Sequence, residues 1–112
     1  MLTLPIKKKW FDMILSGEKK EEYREIKPYY TSRFSKLYFV FNHELTEREM
    51  KYLMITEEHM CTDVIFRNGY SKNSPQIKCK VKIFTGIGEE KWGAEPNKEY
   101  YILKILSVEE MK

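Results

Sequence analysis

Gln76-Ile77-Lys78-Cys79-Lys80-Val81-Lys82-Ile83 alternates apolar and polar residues without a break. Successive side chains of a strand point to opposite faces, so this spacing puts Ile77, Cys79, Val81 and Ile83 on one side and Lys78, Lys80 and Lys82 on the other. The pattern predicts a half-buried β-strand with one face on a core. The three lysines read first as the wet side of that strand and a guard against edge pairing. A stripe that tracks phosphates is the less economical reading.

Downstream, Gly86 and Gly88 open a loop through Trp92-Gly93-Ala94-Glu95-Pro96, and Tyr100 to Leu106 reads as the last strand. Upstream, Asn68-Gly69 begins a polar loop that runs through Ser74-Pro75, and Val64-Ile65-Phe66-Arg67 before it reads as a strand. Further back, Thr46 and Glu49 have the spacing of a capping box, with Met50, Leu53 and Met54 forming an apolar helical face behind them. Leu37-Tyr38-Phe39-Val40-Phe41 is a nearly continuous apolar run, as in a strand covered on both faces.

At the start of the chain, Leu2-Thr3-Leu4 reads as a short strand. After Pro5, Ile6, Trp10, Phe11, Ile14 and Leu15 recur at helical spacing, and Ser16-Gly17 ends that helix because glycine tolerates a left-handed cap. Lys19 to Ile26 alternates as a charged strand, with Glu22 and Arg24 on one face and Glu21 and Tyr23 on the other. Pro28 to Phe34 breaks it as a short helical or turn segment. Five or six strands with two or three short helices make an α+β domain, and so many short strands favour a curved sheet closing into a small barrel.

At 112 residues the chain has room for one domain spanning 1–112. A profile of 42% hydrophobic and 14% aromatic residues excludes a disordered chain. Lys7, Lys8 and Lys9 interrupt the first apolar residues too soon for a secretory signal, and no apolar run reaches the roughly 18 residues that span a bilayer. Cys61 and Cys79 make no disulfide framework, which with the above predicts a cytoplasmic protein with reduced thiols. The net charge of +3 is modest for a dedicated duplex-DNA binder and compatible with a nucleotide or a single strand.

The residues that carry chemistry gather in Gly17-Glu18-Lys19-Lys20-Glu21-Glu22-Tyr23-Arg24. A turn glycine reverses the chain from helix to strand and would aim Lys19 across the mouth of the fold. Glu22 and Arg24 stand about 6.5–7 Å apart on one strand face, close enough for an ion pair or a shared ligand. A partly buried lysine can shed a proton or anchor an anion, a carboxylate beside it can act as a general base, and arginine offers a planar fork to phosphate or a carbonyl edge. Without further context, such a charge ladder is an ordinary solvated strand face. Tyr29, Tyr30, Phe34, Tyr70 and Trp92 are candidates for stacking on a base, whereas the helical spacing of Trp10 and Phe11 reads as core. His59, Cys61 and Asp63 lack the ligand spacing of a metal site, no cofactor motif is present, and the isolated His43 reads as a turn cap.

This segment resembles the signature of the ASCH domain, a PUA-like β-barrel: a glycine, a lysine two on, a glutamate three after that and an arginine two further, here Gly17, Lys19, Glu22 and Arg24. Trp10-Phe11 upstream, the Arg67-Asn68-Gly69-Tyr70 loop, Trp92-Gly93-Ala94 and the final strand are also similar to small phage and bacterial members. The resemblance implies a cleft beside the barrel that binds RNA or a modified nucleoside or nucleotide. It implies Lys19 and Glu22 as the catalytic pair and Gly17, Arg24, Arg67, Asn68, Tyr70 and Trp92 as ligand-binding residues, and Lys7 joins these as the lysine of the Lys7-Lys8-Lys9 run that a helix-turn-strand arrangement brings nearest the motif.

Some small bacterial members hydrolyse the amide of N4-acetylcytidine with the motif lysine, a threonine and a downstream glutamate. Here Glu22 stands where those enzymes have the threonine, so their hydroxyl has no counterpart at that position. Glu89 and Glu90 are the candidates for the downstream acid. Three expectations follow: a nucleic-acid or nucleoside binder, a small amidohydrolase acting on an acylated nucleobase, or a protein-interaction module.

Overall fold

The computed structural model describes residues 1–37, Arg48 and residues 61–111. In chain order these form β1 (Leu2–Ile6), α1 (Lys8–Leu15), β2 (Glu21–Glu25), α2 (Pro28–Ser35), β3 (Cys61–Asn68), β4 (Gln76–Ile87), a 3-10 turn (Glu90–Trp92) and β5 (Glu99–Met111). Among the described residues the fold is α+β: a five-stranded sheet in the order β1-β3-β4-β5-β2, with the helices α1 and α2. β1 runs parallel to β3, and the remaining neighbours are antiparallel.

The apolar–polar alternation from Gln76 to Ile83 sets the inner wall of the sheet. Ile77, Cys79, Val81 and Ile83 are all buried, and Val64 and Phe66 of β3, Leu4 and Ile6 of β1, and Tyr101 and Leu103 of β5 extend the same cluster. Phe11 and Ile14 from α1 and Phe34 from α2 close it from the helix side. Each such side chain contributes roughly 1.5–3 kcal/mol when taken fully from water, which makes this cluster the main source of stability. Burial pushes the Cys79 thiol up to about 12, so it packs as a small apolar group.

Several expectations shift in detail. Ile6 belongs to β1 and not to the helix face, and Leu15 is 37% exposed, so α1 buries only Phe11 and Ile14. Pro5 sits in an edge strand, where its missing N–H is tolerated. Phe34 is core and not a stacking surface. Gly86 lies within β4, and β5 continues past Leu106 to Met111 because β4 begins at Gln76 and pairs with it throughout, through an irregularity at Lys80/Val81. Tyr100 and Ile102 are buried on the opposite face from Tyr101 and Leu103, under Ala94, so β5 is covered on both sides there.

The strand expected over 38–41, the helix expected behind Thr46 and Glu49, His43 and His59 lie outside the described residues; Leu37 follows α2 in a turn. No helix of the described residues is long and apolar enough to cross a membrane.

β1 and β2 are the two edges of the sheet, yet they come close together. The Arg24 guanidinium on β2 donates to the carbonyl oxygen of Pro5 on β1 at 3.0 Å. The sheet therefore curls into a half-barrel whose seam, between its outermost strands, is spanned by the Arg24 side chain.

Candidate functional site

The seam is assembled from the end of α1 onward. The Ser16 N–H closes the helix on Asp12 O at 3.0 Å, and Gly17, with φ 86°, takes the left-handed conformation that lets its N–H reach Ile14 O at 3.1 Å. The Lys19 N–H then bonds back to Met13 O at 2.9 Å, which folds Lys19 under the helix before β2 begins. Lys19 is thus turned inward, with 1% of its surface exposed. On β2, Glu22 pairs with Leu103 and Arg24 with Tyr101, so both side chains point to the core side of the curled sheet.

The three charged groups meet in one line. Lys19 Nζ donates to the backbone oxygen of Trp92 and lies 3.2 Å from Glu22 Oε1, and Arg24 Nη2 lies 2.8 Å from Glu22 Oε2. The Lys19 ammonium also sits 4.5 Å from the Trp10 ring centre and 5.2 Å from that of Tyr23, at cation–π distance. Arg24 reaches Pro5 O as above and donates from Nη1 to the Tyr30 hydroxyl at 3.3 Å. Its Nε–H is buried without a partner among the described residues. Glu22, with both oxygens engaged by cations, is the hinge of the arrangement.

Burial holds the Lys19 amine below the ordinary lysine range, against the Glu22 carboxylate, which raises it. The folded protein thus binds this proton less tightly than the unfolded chain. The group's contribution to stability is lost as pH falls through the folded value and is regained as pH rises towards 10.5. We expect the Lys19 13Cε resonance to titrate below those of the exposed lysines, and lower still in Glu22→Gln, where the charge that supports the proton is gone. Arg24 goes the other way: burial opposes its charge, but the Glu22 carboxylate and the Tyr30 hydroxyl more than offset that.

Three hollows meet at Arg24. The first, about 530 Å³, is walled by Lys7, Trp10, Glu22, Arg24, Asn68 and Tyr70 among others, a size that suits a small organic ligand. The second, about 430 Å³, lies towards Trp92 and shares Trp10, Glu22 and Arg24 with it. The third, about 560 Å³, lies along α2 and shares Pro5, Arg24 and Tyr70 with the first.

Of the residues singled out from the sequence, Lys7, Glu22, Arg24, Asn68 and Tyr70 line the first hollow, and Trp92 lines the second. Lys19 lies behind Glu22, and Gly17 acts through the turn that places it. Arg67 is not among the residues around the first hollow. It sits opposite Gln76 on β4, whose amide oxygen, in the orientation that satisfies both groups, accepts from its Nε at 2.9 Å and Nη2 at 3.0 Å. Glu89 donates its backbone N–H to the Tyr23 hydroxyl, and Glu90 opens the exposed 3-10 turn; the carboxylate at Lys19 Nζ is that of Glu22.

Sequence reasoning missed Pro5, whose contribution is a backbone oxygen, and Trp10, which was assigned to the core and instead walls two hollows and covers the Lys19 ammonium. Gly93 permits that packing. Its φ is 103°, and a Cβ there would lie 3.1 Å from Trp10 Cζ2. Gly93→Ala should therefore cost about 1–2 kcal/mol from the left-handed backbone alone, measured by urea unfolding, and should shift the Trp10 fluorescence.

Fold and site together define an α+β domain whose curled sheet is stitched at its seam by a buried lysine–glutamate–arginine line facing open hollows. No protein-family model, curated protein or solved structure matches this chain.

Proposed function

We propose that the chain is an ASCH-type domain of PUA-like barrel fold that binds RNA or a modified nucleoside in the hollow beside Glu22 and Arg24. The observation that carries this reading is the convergence of Lys19, Glu22 and Arg24 at the seam, where a charge ladder on a solvated strand would have splayed apart. Glu22 and Arg24 offer an acceptor and a planar donor fork to the edge of a base. Trp10 and Tyr70 supply aromatic surface, and Asn68 an amide with both donor and acceptor character. Lys7 and Lys8 at the rim suit a phosphate. A cytoplasmic setting goes with this reading.

The test is a titration with nucleosides and short RNA followed at backbone amides. Shifts should cluster at Lys7, Trp10, Glu22, Arg24, Asn68 and Tyr70. No shifts at millimolar ligand, or shifts scattered far from the seam, count against the proposal.

A second reading is favoured by the buried Lys19 amine held below its ordinary range against a carboxylate. It is hydrolysis of an acylated nucleobase amide, with Lys19 and Glu22 as the working pair. Release of cytidine from N4-acetylcytidine, abolished by Lys19→Ala, supports it. Absence of turnover, or turnover that survives the substitution, removes it.

A further inference from the structure

The hollow along α2 differs in charge from its neighbours. Arg24, Lys27 and Arg33 line it, and no carboxylate is among the described residues around it. The hollow towards Trp92 is instead lined by Glu22, Glu25 and Glu95 as well as by cations, and Lys98 there is tied to Glu95 at 3.2 Å and Glu25 at 3.7 Å. On the α2 side a phosphodiester meets Lys27 and Arg33, with no carboxylate among the described residues around them, beside an Arg24 already paired with Glu22; on the other side it meets carboxylates.

The α2 side also carries an aromatic platform. Tyr29 is 52% exposed, the Arg33 guanidinium lies 3.5 Å from its ring centre, and it makes a T-shaped pair with Tyr30, centroids 5.0 Å apart. Arg33 is pinned by a bond from Nη1 to Tyr29 O at 3.2 Å. A half-exposed ring fixed by two such contacts offers surface to a second base. Tyr70, 88% exposed, borders both this groove and the first hollow and so joins them.

We propose that the α2 groove is a second subsite, which holds the phosphate and base flanking the one seated at Glu22 and Arg24. The ligand is then a single-stranded oligonucleotide that leaves the first hollow past Tyr70 and Tyr29 and not past Trp92. This rests on the nucleoside-binding reading above and adds the length and direction of the ligand to it.

Calorimetric titration with each of the four ribonucleosides and its homotrinucleotide tests both. A stacked second base should make the trinucleotide at least about fivefold tighter than its nucleoside. The trinucleotide's log affinity should fall with log salt by about 0.7 per phosphate held. Tyr29→Ala and Arg33→Glu, at surface positions, should bring the trinucleotide-to-nucleoside ratio close to one. Lys80→Glu, a charge reversal at an exposed position of β4, should keep it. A ratio near one in the wild-type protein, or a ratio that survives both α2 substitutions, overturns the second subsite while leaving the first. Failure of nucleosides and trinucleotides alike to bind overturns both.

Discussion

Glu22→Ala should destabilise this protein by about 3–5 kcal/mol, the usual cost of leaving a buried charge without its partner. The reason lies in the arithmetic of the line: one carboxylate serves two cations, with Lys19 at 3.2 Å and Arg24 at 2.8 Å. Their side chains are 1% and 12% exposed, so water from the adjoining hollows replaces Glu22 only in part. Without it two positive groups face each other in a poorly solvated seam. Lys19→Met, by contrast, leaves the neutral Glu22–Arg24 pair and retains most of the volume. It should cost clearly less, about 1–2 kcal/mol, mainly from the orphaned Trp92 carbonyl. Urea unfolding of the two variants checks the order, and thermal scans should show a drop of more than about 10 °C for Glu22→Ala alone. Equal losses would mean that Glu22 does not bridge the two cations.

The second large effect is expected at Arg24. Its fork holds Glu22 on its own strand, Pro5 O across the seam and the Tyr30 hydroxyl on α2. A lysine is a point charge on a flexible stem and cannot reach all three. Arg24→Lys should therefore keep the ion pair and lose the stitch, at about 1–3 kcal/mol for the charge-assisted bonds given up. Amide exchange should quicken in β1 and β2 relative to β4, the central strand of the five. Binding of nucleosides should weaken by roughly tenfold or more, since a bond to the ligand of about 1.5–3 kcal/mol goes with the fork. Unchanged exchange at the edges would show that the seam is held by something other than this side chain.

The parts of this molecule that were legible in the sequence are those written in short periods. Ile77 to Ile83 reads as a half-buried strand because a period of two needs no knowledge of the partner, and every inward residue named there is buried. Ser16-Gly17 reads as a helix end because a left-handed turn selects glycine. Glu22 and Arg24 share a face for the same period-two reason.

What was not legible depends on long-range contacts. Lys19 reads as the first residue of a charged strand, aimed across the mouth of the fold, whereas it precedes β2 and is fully buried. Its burial requires the backbone oxygen of Trp92, 73 residues away, and a carbonyl leaves no mark on the amino-acid pattern. Pro5 is invisible as a partner of Arg24 for that reason too. Trp10 has the spacing of a core residue and is half of one, packed on Gly93 while it walls the open hollows. The full reach of β5 was hidden because Ser107, Glu109 and Glu110 carry no apolar signal and are held in the strand by pairing with β4.

The most direct measurement is a crystal structure of the protein soaked with a nucleoside that shifts its amide spectrum. The account predicts a base in the hollow beside Trp10, its polar edge within hydrogen-bond distance of Glu22 and Arg24, and Lys19 still closed behind the carboxylate. A nucleoside bound elsewhere, or Glu22 and Arg24 turned apart with no cavity between them, would contradict it.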